Sequence, residues 1–541
     1  MTRIDTPAPS TNRMDWLLPL LALAISIVAG SYLFVLETTV RATKPLQIDE
    51  LYFLTCAVRA VAHESGVSSG CHDNKGPLIH FLYVLGVERS NLFDLAWIKN
   101  WGAAVYALNT LLVGLISWLL AGRAAAIVSA VACVGVLMLA PEFMALKTES
   151  LAIFFSLCAS VILVRQRSRP GRGLQCGTVG ALMGLSLLAN QKFVVVLAAL
   201  LICLAFWIWL IESDSFGKKL RALSLTMGAV LIGVLLPFLL VAAYFASHDR
   251  FEEFVAAMIL YPSLYGSQTE GTLLQLVAWQ AGHIADRLRP FMIYTFALGC
   301  LFVWLGCRFR TWFSGKELQP DGLDVVALSA VFFTVLCFGF SILFSYHFLP
   351  AFIYAAVAIG VGYVALMRAL PTPSGRASVS FAVVVFSAIQ GLAMWKGSDG
   401  RSGGPDPFSY YRVPGQATHA FVVGQWPAFY AFNQLIPASD VFYPQALRGV
   451  KAGGFYRPPA PGSLKAELLN IFRSLNEEKI LSDFSKTPPT YIYVIDWLAK
   501  VATEEASNLP LINGYIAKHC KFEARVEDQD PLYIGTLYYC R

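Results

Sequence analysis

Apolar residues run along this chain in blocks of about 20, separated by short polar turns that hold much of the charge. A helix of that length crosses the roughly 30 Å hydrocarbon core of a bilayer. Eleven blocks fit, at about 16–36, 96–120, 124–140, 150–165, 173–189, 193–211, 222–244, 290–307, 323–344, 348–367 and 378–395. The pattern predicts an α-helical polytopic membrane protein of about 11 spans. The first block is long, lacks a small-residue cleavage site and leads into a polar loop, so it reads as a span rather than a signal peptide.

The pattern changes near residue 397. "KGSDGRSGGPDP" reads as a Gly, Ser and Pro linker, and the rest of the chain has the texture of a soluble domain. Within it "HAFVVGQ" and "TYIYVIDW" look like buried strands, "PGSLKAELLNIFRSLNEEKI" like a helix, and "PLYIGTLYYC" like a late strand. The expected organisation is a membrane domain over 1–397, with outer loops at 37–95, 141–149 and 245–289, followed by a small α/β domain over 398–541. No internal repeat stands out. Neither a P-loop nor a GxGxxG at a strand end is present, which argues against ATP or NAD as cofactor.

Composition agrees: 56% of the 541 residues are hydrophobic and 14% charged, too apolar for a soluble globular chain. The net charge of +6 does not imply a nucleic-acid partner, because the cations gather in the short turns, where they encode topology. With the N-terminus in the cytoplasm, Arg123, then Arg165 to Arg172, Lys218 to Arg221, Arg308 to Lys316, and Arg368 and Arg376 all fall inside. Eleven spans then carry the C-terminal domain and the three long loops outside. Cysteines fit this orientation. Cys56 and Cys71 in the first loop, and Cys520 and Cys540 near the C-terminus, would face an oxidising compartment and are disulfide candidates, whereas Cys176 and Cys307 lie near the inner face and should be free.

Four polar features collect on the predicted outer face. Asp49 and Glu50 open "LYFLTCAVRAVA", a helical stretch suited to the membrane interface. Either they cap that helix or they do chemistry. Asp73 and Lys75 in "HDNKGPLIHFLY" offer a snorkelling lysine or a fixed cation for a phosphate. Glu149 in "KTESLAIFF" either caps its helix or serves as a second acid or base. Lys192 in "LLANQKF" and Tyr346 and His347 in "SYHFLP" are belt residues or ligands. Their gathering at one face suits a site drawing one substrate from lipid and another from water. A transporter or flippase would instead place ionisable groups near the midplane, often on broken helices in repeated halves. A polymerase of lipid-carried glycans is the rival enzyme reading.

Taken in order, "IDELYF", "DNKGPLIHFLY", "KTESLAIFF", "GLSLLANQKF" and "SYHFLP" resemble the motifs of the GT-C membrane glycosyltransferases, of the branch holding the protein O-mannosyltransferases and the bacterial lipid A aminoarabinose transferase. The resemblance covers about residues 15–395. It implies a multi-pass protein of the bacterial inner membrane that transfers a sugar from a polyprenyl-phosphate carrier to a lipid A, glycan or protein acceptor at the periplasmic face. By the same resemblance Asp49, Glu50, Lys75, Glu149, Lys192 and His347 stand at motif positions of the family. Asp49 is expected to be the catalytic base or acceptor-orienting carboxylate and Glu149 its partner, with Glu50, Asp73, Lys75, Lys192, Tyr346 and His347 binding substrate, Lys75 and Lys192 at the phosphate. A carboxylate so close to lipid is expected to have a raised pKa.

The chain departs from the family's pattern in four places, one of them Asn74, where an acid often precedes the Lys. Lys75-Gly76-Pro77 stands where Lys-Pro-Pro is common, and Glu149 where Asp is frequent. In the long loop, where some relatives carry a metal-binding His, this chain has Tyr261 and Tyr265, with His248 and His283 out of register. A divalent metal is therefore an open question at this stage, as are the sugar, the acceptor and the stereochemical course.

Overall fold

The computed structural model describes residues 48–63, 75–90, 92, 96–139, 145–165, 173–211, 215–260, 292–314, 322–338, 345–370, 372, 419–423, 427–439, 441, 464–495, 509–526 and 534–540. The expected spans at 16–36 and 378–395 and the linker after 397 lie outside them. Two short helices come first, α1 (Ile48–Ala62) and α2 (Pro77–Arg89). Nine longer apolar helices follow at the remaining predicted spans: α3 (Ala96–Ala121), α4 (Arg123–Leu139), α5 (Thr148–Arg165), α6 (Gly173–Ala189), α7 (Val194–Ile211), α8 (Phe216–Ser247), α9 (Met292–Phe313), α10 (Gly322–Phe338) and α11 (Leu349–Ala369). Among the described residues six of these segments are at least 18 residues long and apolar enough to cross a membrane, and α4, α6 and α10 are shorter apolar helices. The chain is an α-helical polytopic membrane protein.

Lipid tails are as apolar as leucine, so span association depends on close packing rather than on escape from water. Small residues permit that packing. Helix α6 lies along α8, with Gly180 against the Val230 carbonyl and Gly233 against that of Gly177, so that a Cβ on either glycine would collide with backbone. Gly360 of α11 meets Ser129 and the Ala125 carbonyl of α4 in the same way. Replacing Gly180 by Val is expected to cost about 1–3 kcal/mol. Reversible unfolding in mixed micelles measures this, and an unshifted midpoint would mean that α6 and α8 are not in contact there.

At the other end of the bundle from α1, helices α9 and α10 are tied by a buried ion pair. Arg308 Nε and Nη2 donate to Asp324 Oδ1 and Oδ2 at 2.9 and 2.6 Å, and the Trp304 indole N–H donates to the same Oδ1 at 3.1 Å.

Among the described residues the C-terminal part holds a five-stranded sheet. It contains β1 (His419–Val423), α12 (Pro427–Asn433), β2 (Ile436–Pro437), α13 (Leu464–Lys486), β3 (Tyr491–Ile495), α14 (Pro510–His519), β4 (Cys520–Val526) and β5 (Gly535–Cys540), with strand order β2-β1-β3-β5-β4. Strands β2, β1 and β3 run parallel, and β5 and β4 join antiparallel. The central strands β1 and β3 are apolar runs buried almost throughout, as expected where helices cover both faces. Cys520 and Cys540 face each other in register across β4 and β5 and are disulfide-bonded.

Helix α1, which the sequence suits to the membrane interface, is enclosed by protein. All of Glu50 to Ala60 is buried, because its apolar side chains fall on every side. One flank packs on α2, and α12 and β2 cover another. Its last turn is bonded to the C-terminal domain: the Arg59 guanidinium donates to the Pro437 carbonyl and lies 3.6 Å from Asp483 Oδ2, which also accepts from Ser439 Oγ at 2.8 Å. The His63 and His419 rings lie 5.7 Å apart at the same seam.

Candidate active site

The site forms where the first turn of α1 meets the ends of α5, α6 and α7. Asp49 and Glu50 occupy that first turn, where the helix dipole favours carboxylates. They reach the loop before α5 at adjacent residues. Glu50, 1% exposed, accepts from the Leu146 N–H at 2.8 Å, and Asp49 Oδ2 lies 3.2 Å from the Lys147 ammonium. Glu50 therefore anchors the loop before α5.

A second carboxylate sits beside the first. Glu149 accepts from Thr148 Oγ1 at 2.9 Å through one oxygen, while the other lies 3.8 Å from Lys192 Nζ. Asn190 sets the positions of both partners: its amide donates to Thr148 Oγ1 at 3.2 Å, and its carbonyl oxygen accepts from the Lys192 N–H at 3.1 Å, capping the 3-10 turn Gln191–Phe193. Lys75 lies within electrostatic reach of Asp49, Glu149 and Lys192. Gly76 brings it there, since the backbone at that residue rests against the Leu188 and Ala189 carbonyls and no side chain would fit. The segment after α8 also arrives, with Gln191 donating to the Ala257 carbonyl at 3.4 Å.

The electrostatics of Asp49 correct one expectation. Burial opposes its ionisation, but Lys147 foremost, with Lys75 and Lys192, outweighs burial and holds the carboxyl below the usual value. Asp49 is thus a standing carboxylate at neutral pH rather than an acid with a raised pKa. The expectation failed because it counted the lipid and not the lysines.

Of the residues expected at the site, Asp49, Glu50, Lys75, Glu149 and Lys192 are brought together. His347 is buried in the 3-10 turn Ser345–Phe348 before α11, where its carbonyl accepts from the Cys337 thiol at 3.2 Å; Cys337 in turn lies within electrostatic reach of Lys192. Tyr346 shares that turn, but its side chain, like Asp73 and Cys71, lies outside the described residues. Cys56 is disulfide-bonded.

Lys147 was missed in the sequence, although a signal was present. A cation immediately before a helix N-terminus opposes the helix dipole, so it calls for an anionic partner. Among the described residues no three His, Cys, Asp or Glu side chains gather as metal ligands. A divalent ion on Asp49 or Glu149 would also have to compete with Lys147 or Lys192. These residues do not fit a metal centre.

The described architecture matches solved membrane enzymes along nearly its whole length. ArnT from Cupriavidus metallidurans, bound to undecaprenyl phosphate, superposes with a TM-score of 0.55 at 13% identity, over 97% of this chain and 98% of that one. The chain has the GT-C fold. The oligosaccharyltransferase of Archaeoglobus fulgidus in its apo form shares the GT-C fold, with a TM-score of 0.51 at 13% identity over 93% of this chain and 73% of the other. No family model and no curated protein sequence matches the chain. At this distance the GT-C likeness speaks for architecture, and the chemistry must be argued from the residues of the site.

Proposed function

We propose that the chain is an integral membrane glycosyltransferase, moving a sugar from a polyprenyl-phosphate carrier to an acceptor at the outer face of a bacterial inner membrane. The observation that carries this reading is the juxtaposition of two carboxylates, Asp49 and Glu149, with Lys75, Lys147 and Lys192 at one end of the span bundle. Glycosyl transfer makes both demands at once. The acceptor hydroxyl loses a proton as its oxygen bonds to the anomeric carbon, while the bond to the departing carrier phosphate breaks and leaves negative charge on it. Asp49, already ionised, orients the acceptor and takes its proton, with Glu149 beside it. Lys75 and Lys192 face the phosphate. The carrier tail lies among spans whose outer ends border the site.

Cysteine chemistry supports the orientation. Cys520, Cys540 and Cys56, all outside the spans on the side of the site, are disulfide-bonded, while Cys176 and Cys307, towards the other end of the spans, are free, as are the cysteines within the spans, Cys337 near the site among them. That pattern favours a periplasmic site, with the domain over 398–541 on the same side. Transport is less well supported, because the buried Arg308 and Asp324 lie near helix ends, are paired with each other and stand away from a midplane pathway.

The proposal is tested with purified protein in detergent, a panel of polyprenyl-phosphate sugars and an envelope extract holding lipid A, glycans and proteins. Release of free polyprenyl phosphate, followed by mass spectrometry, is expected from one donor and only when an acceptor is present. If no donor releases carrier with any acceptor fraction, the reading is wrong.

A further inference from the structure

The loop before α5 is fixed from every side, although it is only a connection. The Ala145 carbonyl accepts from Tyr106 Oη of α3 at 2.9 Å, and the Leu146 carbonyl from Tyr83 Oη of α2 at 3.0 Å. Glu50 of α1 holds the Leu146 N–H, and Ser150 Oγ donates to the Lys147 carbonyl at 2.7 Å. Asn109 of α3 completes the set by donating to the Ser150 carbonyl at 3.1 Å. Four helices thus immobilise three residues, and the side chain carried at the end of them is Lys147, 5% exposed, with its ammonium on Asp49. A lysine whose backbone and head group are both fixed has lost the freedom that makes this side chain a loose point charge elsewhere.

We propose that Lys147 is the positioning residue of Asp49, holding that carboxylate in the orientation that sugar transfer requires. This deepens the glycosyltransferase reading above and rests on it. Three cations face Asp49 from three elements, Lys147 from the loop before α5, Lys75 from the loop before α2 and Lys192 from the turn before α7, while Glu50 and Glu149 bring negative charge. Of the cations Lys147 acts most strongly and is in direct contact. An opposite charge at such a distance lowers a carboxyl pKa by about 1–3 units. Without Lys147 the carboxyl pKa rises, so protonation sets in at a higher pH.

Two readouts separate positioning from mere structural support. In K147M the infrared band of the protonated Asp49 carboxyl, identified by its absence from D49N, is expected to appear about 1 pH unit higher than in the wild type. The acid limb of the pH profile of kcat/KM should move upward with it, and kcat should fall about 100-fold, as a misoriented catalytic group would give. K147R, which keeps the charge, should return the band and most of the rate. Should K147M not fold, K147Q serves in the same two measurements. A variant that loses rate while band and limb stay in place, or an Arg variant that restores neither, overturns the proposal. If the wild type releases carrier from no donor, the glycosyltransferase reading fails instead, and the infrared comparison alone decides whether Lys147 governs Asp49.

Discussion

Asp49→Asn is expected to lower transfer by about 100- to 10,000-fold, the range in which a positioned proton-transfer group contributes. The substitution keeps the shape of the side chain and an oxygen that can accept from Lys147, so the 3.2 Å contact survives in weaker form. Glu50 still holds the Leu146 N–H, and the loop before α5 keeps its other bonds. What disappears is the negative charge that accepts a proton from the incoming hydroxyl. The loss should fall on kcat, with KM for the donor nearly unchanged, because the phosphate is met by Lys75 and Lys192 instead. The measurement is carrier release under saturating donor, with circular dichroism and a melting curve to show equal folding. Equal rates for wild type and variant would remove Asp49 from the reaction.

The second large effect concerns stability. Asp324→Ala is expected to destabilise the protein by about 3–5 kcal/mol, because it takes from the buried Arg308 guanidinium, with its side chain 9% exposed, the carboxylate that accepts two of its hydrogen bonds. The Trp304 indole loses its acceptor at the same time. Exchanging both charges for apolar residues, as in R308M with D324L, should cost far less than the single change, since an ion pair removed whole leaves no buried charge behind. Denaturant titrations of the two singles and the double in the same micelle decide the matter. A single variant as stable as the wild type would show that the guanidinium escapes to solvent, and the pair would then count for little.

Spans were readable because a bilayer demands length and apolarity, and both are visible in one dimension. The three sheet strands legible in the sequence, β1, β3 and β5, are the inner ones, and two of them are nearly pure apolar runs. Strand β4, "CKFEARV", was not foreseen because it lies at the sheet edge, where charged residues are compatible with a strand and Phe522 stands exposed. Helix α1 is legible as a helix in the sequence, whereas the protein that covers it is not. A helix apolar all round is equally content against lipid or protein, and only the fold tells which one covers it.

At the site, the sequence made Asp49, Glu149, Lys75 and Lys192 visible because charge is conspicuous beside apolar spans. Their mutual distances were not visible, since they depend on how loops 37–95 and 141–149 meet. The consequence reached the chemistry itself. Asp49 looked like a group that burial would protonate, and Lys147, 98 residues along the chain, reverses that. Asn190 and Ser150 escaped notice for a plainer reason: their role is to hold backbone, and a hydrogen bond to backbone leaves no mark on composition.

Helix α1 is also a matter of timing. The Arg59 guanidinium meets its carbonyl partner across 378 residues of sequence, so α1 is synthesised long before the segment that covers it. Until α12 and β2 have been made, α1 lacks the cover that encloses it in the folded chain. A variant cut before β1 would leave α1 without that cover, and Asp49 and Glu50 in its first turn with it. The sheet thus closes the fold around the candidate site: the helix that carries Asp49 is enclosed only once a segment 378 residues further along has been added.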